Sequence, residues 1–277
     1  MKTSIRLLEK KDTKIVMQYL ERNSIETTFL IGNIFQFGLE NNPNLRRCGD
    51  YYGYFEDGKL KGILPFYNLG SCIPHFETLN AVPNFIEIMK KKDFLYLLGM
   101  EKLIKPLYEG IKNYKSTVDY SQDSYYINKA FVSFSLEGAI IKNAKDVNKQ
   151  SAVSFIKEAN LKGFGRKIDT EEALKMLCEK SEEEDWVFLI KDEKIVAQAN
   201  IQTFTEDINQ IGGVYTSEEH RGKGYCKAIV SEICKRIIFR DKMPTLMVTK
   251  NNTPAVRAYS SLGFTHYDDY LIIQLKN

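Results

Sequence analysis

The sequence predicts an α/β (α+β) chain made of two similar modules, each with a mixed sheet flanked by helices. Three observations carry this expectation. Strand-like and helix-like stretches alternate along the chain. One strand–turn–strand unit occurs twice, about half a chain length apart. In the second half a strand, a basic glycine-containing loop and an amphipathic helix follow one another directly.

Length and composition set the frame. At 277 residues and 32.0 kDa the chain has room for about two domains. Its 43% hydrophobic and 27% charged residues are the balance of a globular protein. Lys plus Arg (39) barely exceeds Asp plus Glu (36), which argues against a grip on nucleic acid but leaves room for a local basic pocket. No apolar run approaches the roughly 18 residues that cross a bilayer, and the opening MKTSIRLLEKKD has no signal-peptide core. Five cysteines without C-x-x-C spacing and three scattered histidines suggest neither a disulfide framework nor a metal site. The expectation is a cytoplasmic protein with reduced thiols, no metal and no membrane or nucleic-acid partner.

In the first half, Ile5–Leu8 reads as a strand, and Thr13–Leu20 and Phe29–Leu39 read as helices. The segment from Tyr51 to Ile63 reads as a hairpin turning at Asp57-Gly58. Pro65, Gly70 and Pro74 punctuate an irregular stretch. Phe94–Leu98 reads as a buried strand, and from Gly99 apolar residues recur at helical spacing through Ile111. The polar stretch Asn113–Asp123 is the linker candidate, followed by a strand near Phe131–Leu136. Modules are therefore expected at 1–125 and 126–277.

In the second half, helices are expected near Ala152–Ala159 and Glu171–Glu179, before a second hairpin, Trp186–Phe204, turning at Asp192. Ile208–Thr216 reads as a strand, Ser217–Gly224 as a loop and Tyr225–Phe239 as a helix. On that helix Cys226, Ile229, Val230, Ile233, Cys234, Ile237 and Ile238 form one apolar stripe, so the two cysteines read as packing residues. Thr245–Thr249, a helix over Thr253–Leu262 and the strand Leu271–Leu275 close the module. Clusters such as Tyr51-Tyr52 and Tyr125-Tyr126 read as strand packing.

The loop Arg221-Gly222-Lys223-Gly224 is where chemistry concentrates. A helix start leaves about four N–H groups unpaired at the positive end of the dipole. Glycines let an anion approach that backbone, and Arg221 and Lys223 add charge, so the place suits a diphosphate. A plain strand-to-helix turn is the simpler reading of the same residues. Gly212-Gly213 inside the preceding strand marks either a bulge or a bend for curvature. A bulge would leave main-chain groups of Val214, Tyr215 and Thr216 free for an extended ligand. Downstream, Asn252-x-x-Ala255-x-x-x-Tyr259-x-x-x-Gly263-Phe264 reads as a helix with Asn252 as cap, Pro254 in its first turn, Tyr259 on its apolar face and Gly263 at its C-terminal end.

Together these elements resemble the acyl-CoA-dependent N-acyltransferases of the GNAT superfamily. The R-x-x-G-x-G/A pattern is met by Arg221 and Gly224, with Cys226 at the last position, and the N-x-x-A-x-x-x-Y-x-x-x-G-F pattern is met throughout. The resemblance covers about the last 100 residues and the hairpin before them. It implies a tandem of two GNAT-like modules with mixed, mostly antiparallel sheets, the first degenerate. In place of the loop, the first module offers Leu69–His75, without paired glycine or basic charge.

The resemblance implies acetyl-CoA as co-substrate and a primary amine of a small molecule or peptide as acceptor. Val214, Tyr215 and Thr216 would pair with pantetheine, and Arg221, Gly222, Lys223, Gly224, Tyr225 and Cys226 would wrap the pyrophosphate. Asn252 would contact the coenzyme arm. Tyr259 would protonate the departing thiolate as general acid, and the Val214 N–H would polarise the thioester carbonyl. Attack by the neutral amine would be direct, without a covalent enzyme intermediate. Glu206, Asp207, Glu218, Glu219 and a water chain ending on Asn209 or Gln210 all remain open as the route for the amine's proton. A non-catalytic acetyl-CoA-binding regulator and an aminoacyl transferase of the same fold are the other readings, and either a monomer or a homodimer is compatible with the sequence.

Overall fold

A computed structural model describes residues 2–180 and 185–276. The chain forms two compact units, one of Met1–Tyr125 with Tyr267–Asn277 and the other of Tyr126–His266. The first half of the chain runs β1 (Thr3–Leu7), α1 (Thr13–Glu21), α2 (Ser24–Phe37), β2 (Gly49–Glu56), β3 (Lys59–Tyr67), β4 (Ser71–Cys72), β5 (His75–Phe76), α3 (Ala81–Met89), β6 (Tyr96–Met100), α4 (Glu101–Ile111) and β7 (Ser116–Asn128). The second half repeats that order with β8 (Ile140–Asn143), α5 (Lys149–Glu158), α6 (Thr170–Lys180), β9 (Trp186–Lys191), β10 (Lys194–Phe204), β11 (Ile208–Thr216), α7 (Tyr225–Phe239), β12 (Met243–Thr249), α8 (Thr253–Ser260) and β13 (Phe264–Lys276). Strand, two helices, hairpin, strand, helix, strand, helix, strand therefore occurs twice. The one variation is that the strand after the first hairpin is split into β4 and β5.

The two hairpins share their turn geometry. Asp57 and Gly58 have φ of 46° and 78°, and Asp192 and Glu193 have φ of 47° and 62°. Positive φ at both central residues is the type I′ turn, whose twist matches that of the strands it joins. In the first unit β1, β2, β3 and β5 form an antiparallel sheet, and β4 runs parallel to β6. In the second, β8 to β11 are antiparallel in order and β11 runs parallel to β12.

The sequence patterns explain the packing. On α7 the stripe Ile229, Val230, Ile233, Cys234 and Ile237 is buried against Ala199, Ile201, Ile211 and Leu246 of the sheet. Each such isoleucine contributes about 2 kcal/mol by leaving water. Ile238, expected on this stripe, is instead exposed. The other sheet face packs Trp186, Phe188 and Tyr215 under Phe155 and Ile156 of α5 and Ala173 and Leu177 of α6. Tyr51, Tyr125 and Tyr126 are buried.

Three expectations are corrected. Asn113–Asp123 is no linker, because most of it is the exposed first part of β7, whose polar side chains reflect that exposure. Phe131–Leu136 is not a strand. Its N–H groups at Val132 and Phe134 are taken by the Leu262 carbonyl and the Ser231 hydroxyl, and its apolar side chains pack on the core beneath α7. The second module does not run to 277, because Tyr270–Gln274 of β13 pair antiparallel with Met100–Tyr96 of β6. The last strand of the second repeat thus completes the first unit. Among the described residues no helix is long and apolar enough to cross a membrane, and no cluster of His, Cys, Asp or Glu could hold a metal.

Candidate active site

The site begins where β11 changes partners. Ile208–Ile211 pair in parallel with Met243–Leu246, and that register stops at Ile211. On the other side Asn200 faces Gly212 and Gln198 faces Tyr215, so Gly213 and Val214 together oppose Ala199 alone. That is the bulge, and Gly213 sits in it at φ 60°. A Cβ on Gly213 would lie 2.2 Å from Asn200 Nδ2, and one on Gly212 would lie 2.0 Å from Gln202 Oε1. Gln198 Nε2 donates to the Gly213 carbonyl at 3.1 Å.

Main-chain direction decides which groups stay open. The Ser217 N–H donates to the Val196 carbonyl at 3.0 Å. Strand alternation then turns Tyr215 toward β10, and Val214 and Thr216 away from it. Of the three expected residues, Val214 presents open main-chain groups and Thr216 an open N–H, its carbonyl accepting from Arg221, while Tyr215 is paired with Gln198. Past the bulge its side chain packs with α5 instead.

The loop is held from within. Ser217 Oγ and His220 Nδ1 are 2.8 Å apart, Arg221 Nε donates to the Thr216 carbonyl at 3.3 Å, and Lys223 Nζ donates to the Glu219 carbonyl at 3.0 Å. Gly222 and Gly224 adopt φ of 76° and 83°. At Gly222 a Cβ would meet nothing within 4 Å, so the glycine serves backbone conformation there. Gly224 caps α7, and the Ala228 N–H is the donor to its carbonyl at 3.0 Å. The N–H groups of Tyr225, Cys226 and Lys227 lie in the first turn, where a helix makes no internal bonds through them. Arg221, Gly222 and Lys223 are exposed, and Phe134 and Leu136 would stand 3.6 and 3.7 Å from a Cβ on Gly224.

On α8, Asn252 Oδ1 accepts the Ala255 N–H at 3.3 Å, so Asn252 is the helix cap. Gly263 takes φ 92°, and a Cβ there would lie 2.0 Å from the Ala130 carbonyl oxygen. Tyr259 is buried, its ring edge-on to Phe264, and the Cys226 thiol acts electrostatically on its hydroxyl. Burial pushes the Cys226 thiol up to about 11 against the opposing influence of the nearby Tyr259 hydroxyl, and burial also raises Tyr259. Tyr259 is therefore a protonated donor at neutral pH.

The structure thus brings the β11 bulge and the start of α7 into succession and places Cys226 and Tyr259 in one core cluster. It leaves Asn252 exposed at the far end of α8. Glu206 and Asp207 lie exposed in the β10–β11 turn, at the end of β11 opposite the bulge. Glu218 and Glu219 lie exposed in the loop. Sequence reasoning missed Glu158, whose Oε1 accepts the Tyr215 hydroxyl at 3.1 Å. No spacing pattern links those two residues. The break in helical register after Glu158, a π-type turn over Ala159–Gly163, was the only local feature to find, and it too is a matter of backbone geometry.

Residues 191–273 match the family model of the FR47-like proteins. A search among curated proteins gave no match. Among solved structures, the chain is similar to a GNAT-family acetyltransferase from Colwellia psychrerythraea, with TM-score 0.61, 12% identity, and 99% of this chain and 100% of that one covered. It is similar to a GCN5-related N-acetyltransferase from Sphaerobacter thermophilus, with TM-score 0.63, 13% identity, and 98% and 95% covered. A tandem GNAT protein from the clavulanic acid biosynthesis pathway matches with TM-score 0.56, 10% identity, and 99% and 98% covered. At such identities the fold is what is shared. The fold, with the same order of elements run through twice, is that of these GNAT structures, the tandem one included.

Proposed function

We propose that the second module binds acetyl-CoA and transfers its acetyl group directly to a primary amine of a small molecule or peptide. The observation that carries this reading is the bulge at Gly213-Val214 running into the glycine-flanked, positively charged start of α7. Open main-chain groups at Val214 and Thr216 suit pantetheine, with Tyr215 holding the strand in place. The Arg221–Cys226 segment suits the pyrophosphate, offering first-turn N–H groups, the positive helix end and two cationic side chains. The Val214 N–H would stabilise the charge that develops on the thioester oxygen. Tyr259 would protonate the leaving thiolate, and the exposed Asn252 amide would meet the coenzyme arm. The reaction would take place in the cytoplasm, where acetyl-CoA is available.

The first module would hold no coenzyme. The connection from β5 into α3 is Glu77–Asn80, with no glycine and with a carboxylate where the second module has cations.

One observation favours a second reading. Tyr259 is buried beside the Cys226 thiol, which suits a non-catalytic acetyl-CoA binder. Calorimetric titration with acetyl-CoA tests the shared part. The expected result is micromolar binding that an Arg221→Glu, Gly224→Glu double variant loses. Absence of wild-type binding would reduce the loop to a structural turn. Thiol release across an amine panel then separates transferase from binder.

A further inference from the structure

Acetyl transfer to an amine that is protonated at neutral pH needs a group to receive that proton, and the four carboxylates considered from sequence stand in the distal turn or the anion-binding loop. Resting on the acetyl-transfer reading, we propose that Glu158 is the acceptor-side catalytic carboxylate: it docks the ammonium of a cationic primary amine beside the bulge and takes its proton.

The placement follows from β11. Tyr215 is adjacent to Val214, the residue assigned to the acyl carbonyl, and its phenol crosses the α5 face of the sheet to donate to Glu158 Oε1 at 3.1 Å. The ring is fixed from two sides. Phe155 of α5 lies against it with centroids 5.6 Å apart, and a Cβ at Gly163 would stand 2.7 Å from its Cδ2. Gly163 ends the π-type turn that begins directly after Glu158. Such wide turns recur at functional sites because they re-aim a helix end. Here the turn seats the end of α5 on the Tyr215 ring and holds the carboxylate at its hydroxyl.

The chemistry of the pair suits a cationic amine. The Glu158 side chain is 34% exposed, so it can reach an incoming group and later return a proton to water. A primary ammonium, that of Lys162, already stands 3.5 Å from the same oxygen. The charged and titratable groups facing the pair are Lys162 from the turn, and Arg221 and Glu218 from the loop beyond β11, with the Arg221 guanidinium 6.0 Å from the Tyr215 ring centroid. Desolvation and the Glu158 bond push the Tyr215 phenol up to about 12, so it remains a donor to the carboxylate.

The protons balance. The ammonium passes one proton to the Glu158 carboxylate and becomes a neutral amine. That amine's lone pair forms the C–N bond, and the C–S bond breaks as the tetrahedral adduct collapses. Tyr259 protonates the coenzyme thiolate, and the second nitrogen proton, lost as the amide forms, replaces the one Tyr259 gave up. Net, one proton leaves through Glu158 to solvent.

The test uses the full chain and the variants Glu158→Gln, Glu158→Asp and Tyr215→Phe, with 1,4-diaminobutane, tyramine and a tripeptide with a free N-terminus as acceptors. Acetyl-CoA binding is followed by calorimetry and turnover by thiol release. Glu158→Gln is expected to bind acetyl-CoA as the wild type does and to lose about 100-fold in kcat/KM at pH 7. The loss should shrink as pH rises and free amine accumulates. Glu158→Asp should recover part of the rate, and Tyr215→Phe should lose less than Glu158→Gln. Trp186 fluorescence checks that each variant is folded. Wild-type acetyl-CoA binding together with an unchanged rate and pH profile in Glu158→Gln overturns this inference alone. Binding without turnover of any amine removes the role from Glu158, and no binding by the wild type ends both readings together.

Discussion

Cys226 stands in the first turn of α7, where the superfamily pattern has glycine or alanine, and its thiol meets the Tyr259 hydroxyl. Two consequences follow from that one contact. A thiol at this position is larger than a methyl group and crowds the first-turn N–H groups that would face a pyrophosphate. It also lies beside the hydroxyl that a leaving thiolate would need. Cys226→Ala is therefore expected to bind acetyl-CoA several-fold more tightly in calorimetry, at a stability cost of about 1 kcal/mol for the lost buried contact. Tyr259→Phe should slow thiol release without abolishing it, because a thiolate with a pKa of about 8.5 departs with modest help. A Tyr259→Phe variant with wild-type kcat would take the general-acid role away from Tyr259.

At the scale of elements, the paired hairpins offer an internal control. Gly58 and Glu193 occupy the same second position of a type I′ turn, at φ 78° and 62°. Glycine is at ease there, whereas a residue with a Cβ is strained by about 1 kcal/mol. Glu193→Gly is expected to stabilise the second unit by up to that amount, read by denaturant unfolding through Trp186 on the adjoining strand, and Gly58→Glu should destabilise the first. A fall in stability of Glu193→Gly would show that the Glu193 side chain does more than its backbone costs. These turns were legible because their chemistry is local, as was the succession of β11, loop and α7. Strand exchange was not. Nothing in Leu271–Leu275 specifies pairing with Tyr96–Met100, since register between distant strands is set by packing. The Glu158–Tyr215 bond was equally hidden, because it joins a helix end to a strand through a turn geometry that no residue pattern announces. Asn113–Asp123 misled for the opposite reason: a strand with exposed side chains has the composition of a linker.

For the molecule as a whole, the carboxylates held well below their usual range are distributed unevenly between the two units, and acid should separate them. Three carboxylates held down to about 2 all lie in the first unit. Asp12 is held there by a two-pronged bond from Arg6 at 2.7 and 2.8 Å. Burial alone would raise Glu26, but His75 at 3.2 Å, the Tyr267 hydroxyl at 2.6 Å and Lys102 outweigh it. Glu77 is likewise opposed by burial and held down by Arg22, Asn23 and Lys61. A carboxylate whose folded pKa lies below its unfolded value stabilises the fold above the unfolded value, about 4, and loses that contribution as pH falls toward the folded value. Each of the three contributes at most about 2–3 kcal/mol in this way. Between about pH 4 and pH 2 the first unit is therefore expected to unfold while the second persists. The chain's single tryptophan, Trp186, lies in the second unit and reports on it alone. Far-UV circular dichroism should lose amplitude before Trp186 fluorescence changes. Glu26→Gln should flatten the early transition while lowering stability at neutral pH, since the amide cannot replace the charge that Lys102 and His75 meet. Coincident transitions by both probes, in wild type and variant alike, would mean that the two units unfold as one cooperative body and that these carboxylates do not set the acid limit.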